Sequence, residues 1–191
     1  MFKNIFFLPF FFPRFSKEDI HSRSNVKSSI QRTLKTKLVS QYPKLEPVID
    51  ELIPKKGIIE LIRAENKIQL YAVNGEILFF QQFDELIPTL RLVHKFPEAF
   101  PTVQVDRGAI KFVLSGANIM CPGLTSAGAR LPEAPGFEKD TIVVINAENK
   151  EHALAIGKLL MSTEEIKSVN KGHGVELIHH LGDQLWNFSI E

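Results

Sequence analysis

The stretch from Asp106 to Gly123, DRGAIKFVLSGANIMCPG, concentrates the residues of this chain best suited to touch a ligand. Two cations, Arg107 and Lys111, stand four positions apart, a spacing that puts both on one side of a helix. Gly108, Ala109, Gly116, Ala117 and Gly123 are small enough to let backbone approach a bound group closely. Ser115 and Asn118 add a hydroxyl and an amide, which suit sugars and base edges. No acidic residue follows Asp106 until Glu133. The pattern describes a compact surface for a polar anion or a nucleic acid, built on a helix N-terminus. For Gly116 and Gly123, turn and packing needs explain the glycines equally well. The Lys171-Gly172-His173-Gly174 turn adds a second flexible, cationic rim.

A second set of cations lies upstream. Lys27, Arg32, Lys35 and Lys37 share the segment 25–42, and six Lys/Arg with no acid fall between Asp19 and Glu46. A face that serves solubility alone interleaves both signs, so this one reads as facing phosphate. The net charge of +1 hides the asymmetry. Residues 1–105 hold 15 Lys/Arg against 11 Asp/Glu, a balance of +4, and residues 106–191 hold 8 against 11, a balance of −3. Affinity at the downstream stretch is therefore local, and the basic upstream helix supplies the salt-sensitive share.

Enzymatic readings fail on specifics. The chain has no Walker loop, no GxSxG elbow and no CxxC. The run from Gly172 to Leu177 lacks the third glycine of a dinucleotide fingerprint and leads into a strand. His179 and His180 are adjacent in a strand pattern, so they point to opposite faces and cannot chelate one metal. Asp183, near Trp186, has no second titratable group spaced for acid–base work. Neither a catalytic residue nor a cofactor is expected. The lone Cys121 excludes an internal disulfide and a paired-cysteine zinc site; it reads as a small buried hydrophobe in a reducing compartment, cytosol or nucleus.

These residues need elements to position them. The opening MFKNIFFLPFFFPRF has an apolar run from Ile5 to Phe12, broken by Pro9 and too short to span a bilayer. Residues 1–14 read as a disordered or loosely docked tail, with a membrane or partner anchor as the alternative. Val26, Ile30, Leu34, Leu38 and Tyr42 recur every fourth position and predict a helix over 25–42, capped by Ser24 or Asn25. A second short helix over 45–53 stops at Pro54. Strands follow over 57–64, 67–73 and 76–81, the last two joined by Asn74-Gly75, a hairpin signal. A short helix over 89–96 and a proline-bounded linker end a first α+β domain, residues 15–101.

In the second half, strand 102–105 precedes a helix from Arg107 to about Ser115, capped by Asp106 and burying Ile110, Val113 and Leu114. Residues 117–121 predict a strand, Pro122-Gly123 a turn and 124–139 a surface loop. Strands over 141–147 and 152–160 flank the Glu148–Lys150 turn. Ser162 to Glu165 forms a capping box opening a helix that ends at Gly172. Strands 175–180 and 184–190 complete a small, strongly bent β-barrel over residues 102–191.

Together, VNGEILFF, PTLRLVHKFP, DRGAIKFVLSGANIMCPGLTS, STEEIKSVNKG and DQLW, in this order, closely resemble the malignant T-cell-amplified sequence family, from about Phe15 onward. The second half looks like a PUA domain, a β-pseudobarrel of RNA-modifying enzymes and translation factors. The resemblance implies a non-enzymatic, cytoplasmic translation factor that forms a heterodimer with a density-regulated protein homologue, a pair similar to ligatin. It implies action on the small ribosomal subunit after termination: removal of deacylated tRNA, recycling, reinitiation and placement of initiator tRNA. The first domain would dock on the subunit rRNA and the PUA domain would face the tRNA acceptor end. The alternative is a general RNA-binding accessory protein for rRNA or tRNA modification. The first fourteen residues depart from the family pattern.

Overall fold

The structure, a computed structural model, describes residues 15–82 and 84–190; the tail read over residues 1–14 lies outside them. A first antiparallel sheet has strands β1 (Ile20–Asn25), β2 (Ile59–Ala64), β3 (Gln69–Val73), β4 (Glu76–Gln82) and β5 (Glu85–Pro88), paired in that order. Between β1 and β2 run helix α1 (Ser28–Gln41), a 3₁₀ segment (Pro43–Val48) and helix α2 (Ile49–Leu52). Helix α3 (Leu90–Lys95) follows β5, with the Thr89 hydroxyl accepting the Leu92 N–H and donating to the Ile77 carbonyl.

The second sheet is ordered β6 (Thr102–Val105), β8 (Ile142–Ala147), β9 (Ala155–Leu159), β10 (His173–His180) and β7 (Ile119–Met120). Strands β6 and β8 are parallel and the other pairs antiparallel. The short helices α4 (Ile110–Leu114) and α5 (Pro122–Thr125) stand on either side of β7; α6 (Thr163–Val169) connects β9 to β10, and α7 (Gln184–Asn187) closes the chain. The fold is thus α+β, a small antiparallel sheet with helices followed by a curled PUA-type sheet. The two halves share a core: Ile142, Val144, Ile156, Ile178 and Leu185 of the second half pack in one apolar cluster with Leu90, Val93 and Phe100 of the first.

Several expectations hold in detail. Asn74 and Gly75 both have positive φ (51° and 80°), as a type I′ hairpin requires. Ser162 and Glu165 make the reciprocal capping box, although α6 ends on left-handed Asn170, two residues before the expected Gly172.

Others are corrected. Residues 20–25 form strand β1, so Ser24 and Asn25 pair with β2 and do not cap α1; Lys27 holds the N-cap position with no side-chain bond. β1 was illegible because its side chains are almost all polar and exposed, leaving no alternation to read. On α1, Leu34 and Leu38 are buried, as is Tyr42 just beyond it, whereas Ile30 is 50% exposed. A strict four-residue period drifts about 40° per repeat against 3.6 residues per turn, which carries the early positions off the buried face. The regular part of the helix expected from Arg107 starts at Ile110, because Asp106–Ala109 forms a tight turn closed by the Ala109 N–H on the Asp106 carbonyl and carboxylate. Leu114 is 43% exposed and is not part of a buried side. Pro122-Gly123 opens α5. The strand expected over 184–190 is replaced by α7, whose N-cap Asp183 accepts the Trp186 N–H.

Candidate functional site

The chain reversals around β7 build a cleft of about 1420 Å³ on the outer end of the second sheet. The Asp106–Ala109 turn and α4 form one wall, with β7 and the start of α5 opposite; the Glu148–Lys150 turn and His173 complete the rim. The structure brings Arg107, Gly108, Lys111, Asn118, Gly123 and His173 together on this cleft, while Ser115 and Lys171 do not line it. Local folding explains the arrangement. The Asp106 N–H donates to the Gly123 carbonyl at 3.1 Å, tying the two walls at their base. A side chain at Gly123 would meet the Ala109 methyl at 3.3 Å, so this glycine serves wall-to-wall packing. Gly116 has φ +87°, a backbone reversal out of α4 that favours glycine.

The predicted contact residues differ in how free they are. The Arg107 side chain is exposed with no polar partner among the described residues, while its N–H donates to the Glu148 carboxylate at 3.0 Å. The Lys111 ammonium sits 4.9 Å from the Phe112 ring centroid, a cation–π contact. Asn118 is committed to structure, its amide oxygen accepting the Leu177 N–H at 2.9 Å. The Ser115 hydroxyl donates to the Phe112 carbonyl at 2.7 Å. The Lys171 carbonyl accepts from the buried Cys121 thiol at 3.4 Å, leaving its exposed side chain off the cleft.

Sequence reasoning missed the apolar character of this wall. Phe112, Leu114 and Met120 are 56%, 43% and 47% exposed and all line the cleft. The available signal was AIKFVL, apolar at nearly every position, which is more than one face of a five-residue helix can bury. The cleft therefore pairs an apolar wall with a rim of three cations, Arg107, Lys111 and Lys150, and two carboxylates, Asp106 and Glu148.

In the first half, the cations of α1 separate. The Lys35 ammonium is bonded to Asp50 at 2.6 Å and is mostly covered, so it braces α1 against α2 and is removed from the phosphate-facing set. Lys27, Arg32 and Lys37 carry no ion pair within 4 Å among the described residues. Asp183 does have a titratable partner: His179 Nδ1–H donates to it at 2.6 Å, both side chains being 1% exposed. Burial pushes the Asp183 carboxyl up, but bonds from His179 and from the Trp186 and His180 N–H groups prevail and hold it below the usual carboxylate value. Among the described residues there is no cluster of three or more His, Cys, Asp or Glu able to hold a metal, and no helix long and apolar enough to cross a membrane.

Residues 15–97 match the pre-PUA-like domain and residues 101–181 the PUA domain, so fold and site define a protein of the pre-PUA plus PUA class. The fold agrees with solved archaeal structures: a hypothetical protein from Pyrococcus horikoshii (TM-score 0.70, 22% identity, covering 87% of this chain and 98% of that one) and a conserved PUA domain protein from Thermoplasma acidophilum (TM-score 0.65, 20% identity, 87% and 98%). The chain belongs to the family of translation machinery-associated protein 20 and the malignant T-cell-amplified sequence proteins. It is 81% identical over 180 residues to translation machinery-associated protein 20 of Saccharomyces cerevisiae, covering 94% of this chain and 99% of that protein. It is 50% identical to malignant T-cell-amplified sequence 1 of Rattus norvegicus, covering 90% and 93%.

Proposed function

We propose that this protein is a non-enzymatic, cytoplasmic translation factor of the small ribosomal subunit, active in tRNA release and recycling, reinitiation and initiator tRNA placement. What carries the reading is the cleft of the second half, with its cationic rim and apolar wall, in a chain whose relatives are named for association with the translation machinery. Exposed RNA ends are bound through phosphates and unstacked bases by a few cations and close backbone, which Arg107, Gly108, Lys111 and His173 offer. The tRNA acceptor end is the proposed ligand of that rim.

The apolar wall has a different use. Phosphate does not repay exposing Phe112, Leu114 and Met120 to water, whereas a protein partner does. We place the density-regulated protein homologue on this wall, forming a heterodimer, and leave the rim to RNA. Docking on subunit rRNA falls to Lys27, Arg32 and Lys37 around α1. Thr33, Thr36 and Ser40 share a shallow groove with Arg32 and Lys37 and suit sequence-independent backbone contact.

Reversing both rim cations, Arg107→Glu with Lys111→Glu, is expected to lower tRNA release in a reconstituted small-subunit assay about tenfold or more, each lost charged contact costing about 1 kcal/mol. Arg107→Glu alone, which leaves the Lys111–Phe112 contact intact, should keep partner affinity within about threefold. Full release activity in the double variant would remove the RNA face from this cleft.

A further inference from the structure

The last described residues leave the second sheet and lie across the first half. Their anchor is Asp183, whose buried carboxylate accepts His179 Nδ1–H at 2.6 Å, the His180 N–H at 3.0 Å and the Trp186 N–H at 2.8 Å. A carboxylate receiving three N–H groups fixes where α7 starts and which way it points. Leu185 is then buried in the shared core.

Beyond Leu185 the segment touches three separate parts of the first half. Arg91 of α3 donates to the Trp186 carbonyl at 2.7 Å, and its guanidinium carbon lies 4.8 Å from the indole centroid. His94, on the same helix, meets the indole edge-on at 5.6 Å. The Phe188 ring is 5.0 Å from that of Phe15, and Arg23 of β1 donates to the Ile190 carbonyl at 2.9 Å. One short segment thus spans α3, Phe15 and the edge strand β1. Two other polar links cross the same junction: Glu85 to Lys158 at 3.1 Å, and His94 Nε2–H to the Ala153 carbonyl at 2.9 Å.

We propose that residues 183–190 are a strap that sets the angle between the two halves, holding the α1 cation face and the PUA cleft at one fixed separation. A factor that docks with one half and handles a tRNA end with the other needs that separation held, because a misplacement of an ångström or so is costly in any positioned reaction. The functional part rests on the reading above; the mechanical part does not. The Asp183 node gives the strap a rigid root in the second sheet, and the Arg91–Trp186 contact gives it a grip on the first half.

The test uses the full chain with spin labels at S40C and S168C, both exposed positions in opposite halves, while buried Cys121 stays unlabelled. Pulsed electron–electron resonance should give one narrow distance distribution for the parent. It should be at least twice as wide in R91A/W186A, with tenfold or greater loss of amide protection at position 186. A milder pair, R23Q/F188A, alters only the outer end of the strap and covers the case in which the first variant does not fold. An unchanged width in both variants overturns the proposal. In the reconstituted assay, released-strap variants should keep partner binding and salt-sensitive docking but lose at least fivefold in tRNA release. If the parent itself releases no tRNA, the functional reading fails while the distance result still decides the strap.

Discussion

Replacing Phe112 by Asp should reduce affinity for the density-regulated protein homologue by about 30- to 1,000-fold, with no change in folding. The ring is 56% exposed and belongs to neither buried cluster of the described residues, so stability should move by no more than about 0.5 kcal/mol. It lines the cleft together with Leu114 and Met120, with the Lys111 ammonium over its face. Aromatic anchors at the middle of a protein interface cost about 2–4 kcal/mol when lost, which sets the range. Isothermal titration against the purified partner, paired with thermal melts, measures both quantities. Unchanged affinity would move the partner off this wall, and a collapsed melting curve would show that Phe112 belongs to the core.

The second large effect is on stability. Gly157→Val should cost about 3 kcal/mol or more and move unfolding of the whole chain to lower urea. Gly157 lies in β9, paired with Val143 on one side and Leu177 on the other. A Cβ there would collide with the Val175 side chain, approach the Glu176 carbonyl to 2.7 Å and press on Ile145 at 3.2 Å. The carbonyl belongs to the β10 backbone and cannot swing aside, so overpacking falls at the severe end of its usual range. Because the two halves share one core, the urea transition should shift as a single step for both. Gly75→Asn is the contrasting control: a Cβ at Gly75 meets nothing within 4 Å, and asparagine tolerates its positive φ.

What could be read from residues alone follows how local the cause was. The Asn74-Gly75 hairpin and the Ser162–Glu165 capping box are decided by a few consecutive residues, and both appear as read. Strand β1 exists because β2 is there to pair with it, and nothing in IHSRSN announces that partner. The seven residues after Asp183 have strand-like content, but the buried Asp183 node caps a helix instead, a choice made by His179 four residues earlier. At the cleft, the cations and glycines were legible as types. Their division of labour was not: Gly123 packs on Ala109 and Asn118 holds β10, while on α1 Lys35 is engaged by Asp50. The exposed wall of Phe112, Leu114 and Met120 escaped because an apolar run reads as core until the helix proves too short to bury it.

The most direct test of the central claim is co-sedimentation of the purified protein with small ribosomal subunits over a series of salt concentrations. The parent should pellet with subunits at low salt and dissociate steeply as salt rises. The triple reversal K27E/R32E/K37E should flatten the slope of log K against log salt by about two to three, near the value expected for three lost phosphate contacts. Binding that is absent, or that is indifferent to salt and to these three charges, would contradict a factor that docks on the subunit through α1.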